Sequence, residues 1–69
     1  MDMAYKEYRV DKTKIGFIKF IFEAHEGVAV ATTLDAKTGH IRLAIAPDRI
    51  ETAMLVVKDL KKDFMFDEI

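Results

Sequence analysis

Two periodicities, one of about two residues and one of about 3.6, divide the chain into six elements. Residues 4–10, AYKEYRV, alternate, with Ala4, Lys6, Tyr8 and Val10 on one side and Tyr5, Glu7 and Arg9 on the other; the pattern predicts a strand with Tyr8 and Val10 inward. DKTK follows, where Asp11 or Thr13 can cap a helix by accepting from its free N-terminal amides. The apolar set Ile15, Phe17, Ile18, Phe20, Ile21, Phe22 and Ala24 then recurs at helical spacing as far as HEG, where Gly27 can take the left-handed conformation that ends a helix. Residues 28–34, VAVATTL, predict a second strand with Val28, Val30, Thr32 and Leu34 on an inward heavy face and Ala29, Ala31 and Thr33 on a small outward one. DAKTG is a hairpin loop that needs positive φ at Gly39, and residues 40–46, HIRLAIA, return with Ile41, Leu43 and Ile45 inward. Pro47 stops that strand, and Asp48 caps a helix over 47–63 with Glu51 at capping-box spacing. Ile50, Ala53, Met54, Val57 and Leu60 form the buried stripe of this helix, Leu55 falls off it, and FMFDEI predicts a short fourth strand.

The first helix has more apolar surface than one sheet can cover. At about 100° per residue, Ile15, Ile18, Ile21, Phe22 and His25 share one direction. Phe17, Phe20 and Ala24 widen that arc past half the circumference, opposite Gly16, Lys19, Glu23 and Glu26. KIGFIKF within this stretch has the basic-glycine-aromatic look of the strand on which RRM domains stack bases, but such rings must share a strand face at even spacing. Phe17 and Phe20 are three apart, so they are neighbours only on a helix.

The order β-α-β-β-α-β, with two amphipathic helices, predicts an α+β ferredoxin-like two-layer sandwich: an antiparallel sheet in spatial order 4-1-3-2 with both helices on one face. Through VDKTKIGFI, EAHEGVAV and LAI with PDRIETAMLVVKDLKK, the chain resembles ACT-like regulatory domains along nearly its whole length. It is more similar still to an uncharacterised family of short stand-alone bacterial proteins with a pattern of RVD, then EAxEGxA, then TxD. The ACT-like resemblance implies a regulatory module that binds an amino acid at the turn into the first helix. In that family the turn reads Asp-basic-Pro-Gly; here Asp11 and Lys12 match, whereas Thr13 and Lys14 stand in place of Pro and Gly.

Composition narrows the class. Sixty-nine residues make one small domain, expected to span 1–69, and a core of that size is marginal without outside help. The chain has no cysteine, which removes disulfides and thiolate chemistry and leaves self-association as the helper. Eleven Lys and Arg balance twelve Asp and Glu, so no net field draws the chain to nucleic acid or to an acidic membrane. The first ten residues lack a signal-peptide pattern and no apolar run reaches membrane-spanning length, so a cytoplasmic protein is expected.

Candidate chemistry is sparse. His25 reads as a core-edge histidine satisfied by a backbone carbonyl or the helix dipole, and His40 as a solvated loop residue. Neither has a second ligand at metal spacing, the chain contains no Ser or Cys nucleophile, and the glycines are too scattered to cradle phosphate. The expectation is therefore a non-enzymatic protein without metal or cofactor. Two surfaces carry function in this reading. Asp11, Lys12, Thr13 and Lys14 offer helix amides and two ammonium groups to a small anionic ligand. Phe17, Phe20 and Ala24, joined by Leu55, offer an interface for a homodimer. If the first helix lies over the outer strand, a two-fold dimer can pair the edges of those strands. The alternatives are a structural adaptor for a different protein and, more remotely, RNA binding through Tyr5, Arg9 and Arg42 on the open sheet.

Overall fold

The computed structural model describes residues 2–25 and 27–69. Strand β1 (Ala4–Val10) leads through a 3-10 turn at Lys12–Lys14 into helix α1 (Ile15–Ala24). Strands β2 (Ala29–Asp35) and β3 (His40–Ile45) form a hairpin. A second 3-10 turn at Pro47–Arg49 opens helix α2 (Ile50–Lys61), and strand β4 (Phe66–Glu68) ends the fold. All pairings are antiparallel and the sheet order is β2-β3-β1-β4, the ferredoxin-like arrangement the alternation predicts. Helix α1 packs on β2, and α2 leans towards β4.

The core lies between the sheet and the helices. Tyr8, Val10, Ile41, Leu43 and Ile45 come from the sheet, Ile18 and Phe22 from α1, Ala53, Val57 and Leu60 from α2, and Phe66 from β4. Each large apolar side chain so buried contributes about 1.5–3 kcal/mol relative to exposure. The Tyr8 and Phe66 rings meet at 4.9 Å and 60°, the tilted geometry that aromatic quadrupoles favour.

Strand β2 is turned over relative to expectation, although Val28, just before it, is buried as expected. Ala29 and Ala31 are buried, whereas Val30 is 61% and Leu34 43% exposed. The ladder sets this: Ala29 pairs with Ile45 and Ala31 with Leu43, so the small residues share the helix-facing side with the heavy residues of β3. Packing gives the reason, since α1 rests on β2 and brings Ile18 and Phe22 to a surface that only small side chains leave room for. The register then shifts between Thr33 and Asp35, so that Leu34 is the extra residue of an irregularity at the strand end. The open sheet face accordingly carries Val30 and Thr32 beside Tyr5, Glu7, Arg42 and Ala44, in place of Ala29, Ala31 and Thr33.

Three smaller expectations also change. Asp48 does not cap α2: no side chain bonds at either N-terminal boundary, and the Arg49 N–H donates to the Ala46 carbonyl instead. Pro47 already removes one of the amides that a cap would satisfy. Ile50 is 37% exposed, at the helix end beyond the edge of the core. His25 follows the last residue of α1 and is exposed; its backbone N–H donates to the Ile21 carbonyl and its own carbonyl accepts the Val28 N–H. Glu26, expected on the polar face of the first helix, lies outside the described residues.

Burial leaves Tyr8 with one weak partner, as its hydroxyl donates to the Met54 Sδ at 3.9 Å. Desolvation, with Glu68 nearby, pushes its pKa up to about 12 from 10.0. The unfolded tyrosine ionises first, so this group's contribution to stability is intact below pH 10 and is lost as pH rises towards 12. Urea unfolding measured across this range should show a decline in stability that Tyr8→Phe removes in part. An identical decline in Tyr8→Phe would show that other groups account for all of it.

Candidate functional site

Asp11 follows β1 in an extended conformation, and its Oδ1 accepts from the Thr13 N–H at 2.9 Å and from the Thr13 hydroxyl at 2.7 Å. The Lys14 N–H donates to the Asp11 carbonyl at 2.9 Å. The two Thr13 bonds hold the Asp11 carboxyl below its ordinary pKa, the hydroxyl being the larger influence. The structure thus brings Asp11, Lys12, Thr13 and Lys14 together, as expected, but the Thr13 and Lys14 N–H groups are already satisfied from within. An external anion has to displace the Asp11 carboxylate, with Lys12 and Lys14, both exposed, as the compensating charges.

The second surface is larger. Between α1 and α2 runs a groove of about 700 Å³, lined on one side by Phe17, Ile21 and His25 and on the other by Thr52, Leu55, Val56, Asp59, Leu60, Lys62 and Asp63. The antiparallel course of the helices sets its ends. His25 and Thr52 stand at one end; the Phe17 ring, edge-on to Phe64 at 6.2 Å, marks the other beside Asp59 and Asp63. Along its walls Phe17 is 48% and Leu55 63% exposed, beside the charged Asp59, Lys62 and Asp63, and Phe20, elsewhere on α1, is 64% exposed.

The wheel explains the placement. Ile18 and Phe22 define the core direction of α1, Ile21 and Phe17 turn from it towards α2, and Phe20 stands about 160° from Phe22, on top of the helix and away from the sheet. Ala24 falls between Phe17 and Phe20 and is exposed. Of the four residues expected at an interface, Phe17 and Leu55 meet at the groove, while Phe20 and Ala24 lie on the outer side of α1; α1 itself lies over the outer strand β2, the condition for pairing those strand edges. Sequence reasoning missed the groove and the Ile21, Val56 and Asp59 walls; the available signal was the second apolar pair, Leu55 and Val56, beside the main stripe of α2.

Other chemistry is thin. His40 opens β3, half-buried, and its Nε2 lies 2.7 Å from Glu7 Oε1, so it is paired in the sheet and not a free loop residue. Lys6 pairs with Glu68 at 3.2 Å and Lys62 with Asp59 at 3.6 Å; exposed pairs of this kind contribute about 0–1 kcal/mol. Among the described residues no group of three or more His, Asp or Glu could hold a metal ion, and no helix is long and apolar enough to cross a membrane.

Residues 8–63, most of the chain, match the profile of a domain of unknown function (DUF4911). No curated protein and no solved structure matches the chain significantly. The match fits the expectation of a small uncharacterised family and carries nothing about ACT-like regulation.

Proposed function

The chain belongs to the DUF4911 domain family, and we propose from its surfaces that it is a non-enzymatic, ACT-like module that works as a homodimer joined through its helix layer. The observation that carries this reading is the exposed apolar surface of Phe17 and Leu55 in the groove, with Phe20 and Ala24 exposed on the outer side of α1. On so small a molecule, exposed aromatic surface of this kind marks a contact site. A two-fold axis lying across the groove would let Phe20 of each copy enter the groove of the other, a self-complementary contact. It would also set the His25 end of one copy over the Asp59 and Asp63 end of its partner. The Asp11–Lys14 turn adds the regulatory half of the reading: a small carboxylate or phosphate that binds the assembled form more tightly than the separate chains shifts the population towards the dimer.

Sedimentation over a range of concentrations tests the dimer. Phe20→Glu and Leu55→Glu place charge on exposed positions, so the monomer should fold as before, while a charge buried at the contact should weaken association more than about 100-fold. A wild-type chain that remains monomeric at high micromolar concentration sinks the reading and leaves the adaptor for a different protein in its place.

A further inference from the structure

On the open face of the sheet, Arg42 is a cation with no ion-pair partner among the described residues. In the ladder it stands between Thr32 of β2 and Glu7 of β1, and an opposite charge directly across a strand pair is the natural partner. Glu7 does not serve, because its carboxylate is taken by His40 at 2.7 Å. Arg42 instead lays its guanidinium over the Tyr5 ring, with Cζ 5.1 Å from the ring centroid. Its Nε is buried and has no hydrogen-bond partner among the described residues. A guanidinium is a rigid fork of five donors, and a buried unpaired donor is an uncomfortable state that a bound acceptor relieves.

The neighbouring row is flat and apolar. Val30, Ala44 and Tyr5 stand side by side across three strands, and Val30 and Tyr5 are each 61% exposed with only the small Ala44 between them. A shelf that takes a flat body thus lies next to a fork that takes a planar or tetrahedral oxyanion.

We propose that this shelf binds a small ligand in which an aromatic body carries one carboxylate or phosphate group. The ring lies over Val30, Ala44 and Tyr5 in place of the Arg42 guanidinium, which swings off the Tyr5 ring and turns its Nε–H onto the oxyanion. A polyanion fits less well, since Asp35 and Asp67 occupy the row that holds His40 and Arg9, and Glu7 stands directly beside Arg42. The site is on the side of the sheet away from the helix groove, so it stands whether or not the chain dimerises.

An NMR titration of the isotope-labelled chain decides the matter, with phenyl phosphate, benzoate and inorganic phosphate as separate probes. Phenyl phosphate or benzoate should move the Arg42 Nε–H and the amides of Tyr5, Val30 and Ala44 in a saturable way, and the tighter of the two identifies the oxyanion. Inorganic phosphate, which lacks the ring, should bind at least about tenfold more weakly, and Arg42→Gln should weaken the aromatic probe by at least about tenfold. Arg42→Lys keeps the charge without the fork and should recover only part of that loss. Shifts that centre on Lys12–Lys14, shifts indifferent to both substitutions, or no saturable shift with either aromatic probe would overturn the proposal. So would a preference for a single-stranded oligonucleotide whose affinity collapses with added salt.

Discussion

Gly39→Ala should leave a large part of the chain unfolded at room temperature. Gly39 closes the β2-β3 hairpin with φ of +75°, a backbone conformation that disfavours any side chain. It also lies against the end of β1, where its carbonyl accepts the Val10 N–H at 2.8 Å. A Cβ at this position would fall on the Val10 carbonyl oxygen, with the Val10 carbonyl carbon 3.2 Å away. Neither backbone can retreat without breaking the bond that joins them. The left-handed strain alone costs about 1 kcal/mol, and a clash with main chain raises the total to about 3 kcal/mol or more. A domain of 69 residues has only about 3–10 kcal/mol in all. Gly16→Ala is the matched control: Gly16 is in α1 with open space around it, so alanine should raise stability by about 0.5–1 kcal/mol. Urea midpoints of the two variants should move in opposite directions, and a Gly39→Ala loss below about 1 kcal/mol would mean that β1 and the hairpin do not approach so closely.

Phe66→Ala should be nearly as damaging, although it lies three residues from the last, Ile69, in a strand of three. Phe66 is 1% exposed, packs its ring on Tyr8 and pairs with Val10 in the ladder. Backbone bonds from the Asp11 N–H to the Met65 carbonyl and from the Ile69 N–H to the Glu7 carbonyl hold the strand on both sides of it. Removing a buried aromatic ring costs about 3–5 kcal/mol, the lost transfer energy plus the cavity left behind. Equilibrium unfolding checks this directly: a loss under about 1 kcal/mol would show that β4 frays from the sheet and that the core ends at Tyr8.

The contrast between Phe66 and Phe20 shows what local pattern can and cannot reveal. Both are phenylalanines in apolar surroundings, one deep in the core and the other 64% exposed. Phe20 was readable as surplus because a helical wheel compares residues on one rigid cylinder, and its angle from Phe22 follows from spacing alone. Phe66 was readable only as a member of a short terminal strand, since its burial depends on β1 and α2 being in place. Strand β2 makes the same point from the opposite direction. Alternation correctly separates Val30 and Thr32 from Ala29 and Ala31, yet it does not say which set meets the helices. The rule that the heavier face turns inward fails there because α1 approaches β2 closely.

The Asp11–Lys14 turn was legible as a cap because an aspartate followed by a threonine two residues on satisfies its own local amides. That same local chemistry is why the turn is less open to a ligand than the two lysines suggest. Arg42 lies at the other extreme: nothing in HIRLAIA indicates that the glutamate across from it would be claimed by His40, for that choice is made between two strands.

By itself the amino-acid sequence determined the six elements and their order, the helix and strand faces as sets, and the surplus apolar arc on α1, because these depend on bond geometry and on residues within a few positions of one another. Only the tertiary structure decided which face of β2 is buried, which flank of α1 carries Phe17 into the groove with Leu55, and that Glu7 pairs with His40 and not with Arg42. Those outcomes are settled by contacts between residues far apart in the chain, where competing partners differ by little in chemistry and are distinguished by distance.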